Sequence, residues 1–226
     1  MSCMITTLTV PPTQGFGVDG FGFAGTTLHQ MRHINVLTGP SGVGKTTVLS
    51  AAYYHAQNHV RGPVVRLDGH QLLTQDVRDS LGYRRALKMA RSHLSQWPAH
   101  RSLADALAMG ECGEGLRRAF DMGVLINAAA GGVLLIDDFE RSMHPTLQAD
   151  MVGLLSELST LLGVQIILST HSDVVIDTLV RNDSGEGVAV YAMVRSAKAV
   201  VARRYSSATI ARLSEAVDFD VRYVVL

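Results

Sequence analysis

The sequence predicts an α/β fold built on a mainly parallel sheet, and three features carry that expectation. A short apolar strand, Ile34 to Thr38, runs straight into a glycine-rich loop and then into a stretch of helix formers. A continuously apolar tetrad, Val133-Leu134-Leu135-Ile136, ends on the acid pair Asp137-Asp138. A second apolar strand, Gln165 to Ser169, follows a helical stretch that opens on Pro145. Strands without polar alternation are covered on both faces, as in parallel sheets, and their alternation with helices places ligands beyond the strands' carboxyl ends.

The elements follow in order. Ile5 to Val10 and Gly20 to Ala24 read as short strands joined by a Gly/Pro-rich connection, an N-terminal antiparallel flap. After the Ile34 strand, Lys45 to Gln57 lacks proline and reads as a helix, and Val64 to Leu67 as another strand. Residues from about 68 to 110 form a mostly helical insertion, helical through Leu94 and ending near Trp97-Pro98. Glu114 to Ala129 is a helix closed by Gly131-Gly132, since glycine adopts the left-handed conformation that ends helices. Pro145 to Leu162 is a helix with proline in its tolerated first turn. Two strands, Val188 to Val194 and Ala199 to Tyr205, and a helix from about Ser207 to Val217 close the chain. No internal repeat and no long heptad run occurs, so a coiled-coil arm is not expected.

Bulk properties bound the rest. At 226 residues, 47% apolar and 18% charged, the chain fits one globular domain, 1–226. No run reaches the roughly 18 apolar residues that span a bilayer, and Met1 to Val10 lacks the pattern of a signal peptide, so no membrane partner and a cytoplasmic address are expected. Cys3 and Cys112 stand far apart in no metal-ligand spacing and read as free thiols. Twenty Lys and Arg balance twenty Asp and Glu, but eight basic residues against three acids fall between Arg61 and Arg101. That segment is the one basic region, and on a helix Arg84, Lys88 and Arg91 share a face able to track phosphates. A solvated face is the simpler account of it.

Gly39-Pro40-Ser41-Gly42-Val43-Gly44-Lys45-Thr46 fits the P-loop pattern at every fixed position, between a strand and a helix. Glycines let successive N–H groups turn inward around a phosphate, and the helix beginning near Lys45 adds the positive end of its dipole. A nucleoside triphosphate, ATP, is therefore expected, with Lys45 on the β and γ phosphates and Thr46 on Mg²⁺, Thr47 offering a second hydroxyl. Asp137 supplies the acidic partner for Mg²⁺ through water, and Asp138 is placed to polarise an attacking water. His171, just past the strand end Ser169-Thr170, is placed to hydrogen-bond the γ-phosphate, the alternative being that Ser172-Asp173 simply caps a helix.

The order of these pieces resembles ABC-like ATPase heads, and more closely small AAA-type proteins related to the overcoming-lysogenisation-defect and RecF-like ATPases. Leu134 through Pro145 is similar to that group's extended Walker B, with its acid pair, a further Glu and a His-Pro step. Ser169-Thr170-His171-Ser172 resembles its switch segment, Cys112-Gly113-Glu114-Gly115-Leu116-Arg117-Arg118 its signature, and Arg204-Tyr205-Ser206 its closing unit. The resemblance implies two heads sandwiching two nucleotides, with each signature facing the other protomer's P-loop. Two positions depart from the pattern: Glu111 stands where a signature Ser is usual, and Asp138 where a catalytic Glu is. A carboxylate at 111 repels a γ-phosphate rather than donating to it.

These readings converge on a slow ATPase head acting as a nucleotide-dependent switch, as a homodimer or with a partner protein. Two alternatives remain open at this level. The same loop suits a nucleotide or small-molecule kinase of guanylate-kinase type, and the two departures also suit a non-hydrolysing ATP-sensing module with a protein effector, in defence or DNA maintenance.

Overall fold

The structure is a computed structural model that describes residues 4–12, 25–69, 84, 85, 88, 113–183, 187–195 and 200–206. The first two strands, β1 (Thr7–Val10) and β2 (Thr26–His29), pair antiparallel as a separate flap. They are followed by β3 (Ile34–Thr38), α1 (Lys45–His59) and β4 (Val64–Leu67), and then by α2 (Glu114–Ala128) and β5 (Val133–Ile136). The remaining elements are α3 (Pro145–Leu162), β6 (Gln165–Ser169), α4 (Asp173–Asn182), β7 (Val188–Arg195) and β8 (Val200–Ser206).

Among the described residues six strands form the main sheet, in the order β4-β5-β6-β3-β7-β8. The first five run parallel and only β8 is antiparallel, against β7. This is the mainly parallel α/β sheet that the apolar runs predict. Strand period explains how one apolar run serves two layers, because successive side chains leave on opposite faces. Leu134 and Ile136 enter the core that includes α2, α3 and α4, together with Val36, Ile166, Leu168 and Val190. Val133 and Leu135 enter the opposite core, shared with Leu37, Ile167 and Tyr191, residues of α1, and Leu8 and Leu28 of the flap. Each face of the sheet is thus covered by an apolar layer.

The flap is fastened at both ends. Buried Gln165 at the start of β6 accepts from the Ile5 N–H at 2.8 Å and donates to the Ile5 and Arg32 carbonyls. Tyr191 Oη donates to the His29 carbonyl at 2.8 Å, and burial pushes its hydroxyl up to about 12. The first strand begins two residues later than the apolar pattern suggests, and the partner strand observed is Thr26–His29. The expected strand at 20–24, the greater part of the 68–110 insertion and the final helix lie outside the described residues.

Helix ends follow local chemistry. α3 starts where the His144 side chain accepts from the Thr146 N–H, with Pro145 in the first turn. α4 starts at Ser172, whose hydroxyl accepts from the Val175 N–H.

Candidate functional site

Because β3, β5, β6 and β7 are parallel, their carboxyl ends lie along one edge, and the site is assembled from the residues just beyond them. β3 delivers Gly39 between the ends of its neighbours β6 and β7. A side chain is excluded at Gly39 twice over: its φ is 136°, and a Cβ there would come within 2.4 Å of the Met193 carbonyl oxygen on β7. The loop then turns into α1 at Gly44, whose φ of 103° is left-handed and which offers the first-turn N–H groups no side-chain cap.

Lys45 is buried at 6% exposure, and its Nζ donates to the Gly39 carbonyl at 2.9 Å and the Pro40 carbonyl at 3.0 Å. Its third partner is His171 Nε2, at 2.9 Å. An ammonium has only protons to give, so Nε2 accepts and the imidazole carries its proton on Nδ1. Burial lowers the proton affinity of Lys45, and the charges of Asp138, Glu140 and Asp137 oppose that shift.

The acid pair is divided in its roles. Asp137 is buried, takes the Thr46 hydroxyl on Oδ2 at 2.8 Å and the Ser169 hydroxyl on Oδ1. Asp138 faces the cavity instead. Its backbone is left-handed at φ 47°, a region that Asp and Asn enter more readily than longer side chains. Its N–H donates to Ser169 Oγ at 2.8 Å, and its carboxylate packs on Gly69, where an added Cβ would lie 2.7 Å from Oδ2.

A cavity of about 600 Å³ opens between these parts, lined by Ser41, Lys45, Thr46, Asp138, Glu140 and His171 among others. Gly42, Gly44 and Thr47 also border it. Val43 does not: it is buried and packs in the flap-side core. Gly39 and Pro40 contribute through their carbonyls to Lys45. Arg84 and Lys88 are helical and exposed, whereas Arg91, Glu111 and Cys112 lie outside the described residues. The Thr46 hydroxyl and Asp137 carboxylate form a hard oxygen pair that suits Mg²⁺, an ion that keeps most of its waters and needs few protein ligands. When bound, such an ion neutralises phosphate charge.

Two side chains of the site, Arg118 and Glu140, fall within the motifs the sequence resembles but are given no role of their own by it. Arg118 of α2, 2% exposed, donates to the carbonyls of Asp137 at 2.6 Å, Asp138 at 3.1 Å and Asp68 at 3.2 Å. Burial lowers its proton affinity, with Arg141 adding to the effect and Asp138, Asp137 and Glu140 opposing it. Glu140 accepts from Thr170 Oγ1 and from the His171 N–H, each at 2.7 Å. Arg118 acts on backbone carbonyls, and Glu140 on a backbone N–H and a hydroxyl, groups that the fold and not the spacing of the chain brings close. The second glycine of the signature turn, Gly115, meets the Walker B turn directly: a Cβ there would lie 2.0 Å from the Ser142 carbonyl oxygen.

A parallel sheet with this loop, acid pair and strand-end histidine defines a P-loop nucleotide-binding domain of ABC-ATPase-like fold. The chain belongs to the family described as "AAA domain, putative AbiEii toxin, Type IV TA system", which matches residues 51–177. Its fold is similar to that of an ATP-binding cassette of an ABC transporter, with a TM-score of 0.60 at 14% identity, covering 94% of this chain and 96% of that one. It is similar also to CbiO1 from Clostridium perfringens, part of the ABC transporter complex CbiONQ, with a TM-score of 0.53 at 18% identity over 92% and 91% of the two chains. An uncharacterized protein of Methanocaldococcus jannaschii is 29% identical over 113 residues, which are 49% of this chain and 98% of that relative. Among the described residues no helix is long and apolar enough to cross a membrane.

Proposed function

We propose that this chain is a Mg-ATP-binding ATPase head that works as a nucleotide-dependent dimerisation or assembly switch, hydrolysing ATP slowly to ADP and phosphate. The observation that carries the reading is the meeting of Lys45 with His171 Nε2 at 2.9 Å in the cavity where Thr46 reaches Asp137. In this reading Gly39 to Thr47 cradle the phosphates, Thr46 and Asp137 hold Mg²⁺, Asp138 polarises water, and His171 senses the γ-phosphate. Donation by His171 to a phosphate oxygen requires the proton on Nε2, the atom now accepting from Lys45. A γ-phosphate that draws Lys45 away frees Nε2, and exchange with solvent, in which Nδ1 loses its proton and Nε2 gains one, then lets His171 donate to the phosphate and report occupancy.

The reading takes residues 1–226 as one domain with an insertion at about 68–110, in a cytoplasmic setting, and as a homodimer or a head for a partner protein. The setting in this reading is defence or DNA maintenance, and the family description, with its words "putative AbiEii toxin, Type IV TA system", is compatible with the first. Solution mass by light scattering, with and without ATP and Mg²⁺, tests the switch: the wild type roughly doubles in mass with both and Lys45→Ala does not. A wild type that stays monomeric under all conditions rejects self-association and leaves the partner-dependent form.

One observation favours a second reading, a non-hydrolysing ATP sensor. The Asp138 carboxylate is short, left-handed at its backbone and held against Gly69. Single-turnover hydrolysis of labelled ATP separates the two, since a pure sensor yields no product.

A further inference from the structure

We propose that Glu140 is a positioning residue whose carboxylate clamps the chain leaving β6 onto the Asp137-Asp138 turn and so fixes where the His171 ring meets Lys45. The inference rests on the ATPase reading for its consequence in turnover, but its geometry is independent of it.

The ends of β5 and β6 are joined stepwise. Ser169 Oγ donates to Asp137 Oδ1, the Asp138 N–H donates to Ser169 Oγ at 2.8 Å, and the Phe139 N–H donates to the Ser169 carbonyl at 2.9 Å. Thr170 still has a sheet partner, because its N–H donates to the Leu37 carbonyl at 3.0 Å. His171 has left the sheet, and its N–H goes to Glu140 Oε1 at 2.7 Å instead. The other oxygen, Oε2, takes the hydroxyl of fully buried Thr170, which in turn accepts from the Ser172 N–H at 3.0 Å. One carboxylate thus replaces the missing strand neighbour and carries the chain from β6 to the cap of α4.

Hydrogen bonds to an ionised carboxylate are short and strong, and two on one group fix direction as well as distance. Each oxygen of Glu140 thus accepts one hydrogen bond from the chain leaving β6. Its turn is closed by the Met143 N–H donating to the Glu140 carbonyl at 3.0 Å. Gly115 of α2 packs on the neighbouring Ser142 carbonyl, so the clamp stands on the same turn that the signature helix touches.

Glu140→Ala and Glu140→Gln in the full chain test the role. Glutamine keeps both contacts, its Oε1 accepting from the His171 N–H and its amide donating to the Thr170 hydroxyl, which rotates to suit. Glu140→Ala is expected to lower kcat roughly 10- to 100-fold with a smaller change in KM for ATP, and Glu140→Gln to recover most of that loss. Equal impairment of the two variants, or none in either, overturns the positioning role. A second readout needs no turnover: nuclear magnetic resonance of the His171 amide and ring. Lys45→Ala shifts the ring signal in the wild-type background and not in Glu140→Ala, where the His171 amide also exchanges faster with solvent. An unchanged amide and a preserved response to Lys45→Ala overturn the clamp. If the wild type itself does not hydrolyse ATP, the ATPase reading fails alone and the resonance result still decides. Glu140→Gln carries the comparison should the alanine variant unfold.

Discussion

Thr46 Oγ1 donates to Asp137 Oδ2 at 2.8 Å, joining the first turn of α1 to the end of β5. The loop proposed to surround phosphates and the acid proposed to answer a metal are therefore already in contact, so in that reading loss of the acid should be felt through the metal. Asp137→Asn is expected to weaken ATP binding in the presence of Mg²⁺ by about 10- to 100-fold and to leave the metal-free affinity within error. Calorimetric titration with and without Mg²⁺ measures both. Equal losses in the two conditions would remove Asp137 from the metal site.

Lys45 gives a prediction about stability. Burial lowers its proton affinity below the ordinary value of 10.5, so between the lowered folded value and 10.5 the unfolded chain holds more protons than the folded one. Stability from this group then rises with pH across that window, and below it the charged lysine burdens the fold. Lys45→Met should lose nucleotide binding yet unfold at the same or a higher temperature than the wild type at neutral pH. The gap should close as pH rises towards 10.5. A midpoint gap that widens with pH contradicts the assignment.

Gly115 tests the contact between the signature helix and the Walker B turn. An alanine there places a Cβ 2.0 Å from the Ser142 carbonyl oxygen, and since backbone cannot rotate away, one element must shift. Overpacking of this kind costs about 1 to 3 kcal/mol, read by denaturant unfolding of Gly115→Ala. Gly123→Ala on the same helix, with nothing within 4 Å, is the control and should be neutral or slightly stabilising.

At Asp138 turnover and stability should part company. Glutamate extends the carboxylate into the cavity, so Asp138→Glu is expected to raise steady-state hydrolysis. A glutamate held at φ 47° lacks the local tolerance that aspartate has, and the variant should lose about 1 kcal/mol of stability. Unchanged hydrolysis in a folded variant rejects Asp138 as the residue acting on water.

The sheet and the phosphate loop were legible because their signals are local: unbroken apolar runs at Ile34, Val133 and Gln165, and glycines where the loop's backbone turns left-handed. The expected ranges of β3, β4, β5, α3 and β6 match those observed. α4 was visible only as the alternative cap at Ser172-Asp173. Its β-branched opening, Val174-Val175-Ile176, gives little helical preference, and burial of Val175, Ile176, Leu179 and Val180 against the core decides for the helix. Glu140 and Arg118 were illegible as site residues for another reason. Their partners are backbone N–H and carbonyl groups and the Thr170 hydroxyl, brought close by sheet order, and no spacing in the chain announces such contacts.

The strand order has a consequence for how the protein is made. Ile34 pairs with Ile166 on one side and Val188 on the other, and Gly39 rests against the carbonyl of Met193. The loop leaves the ribosome early, yet the two strands that back it are translated late. During synthesis β3 lacks both of its sheet neighbours until β6 and β7 have been translated. Assembly dominated by such distant pairings is slow. A nascent chain stopped short of β7 would carry every P-loop residue and still lack the support that gives the loop its shape.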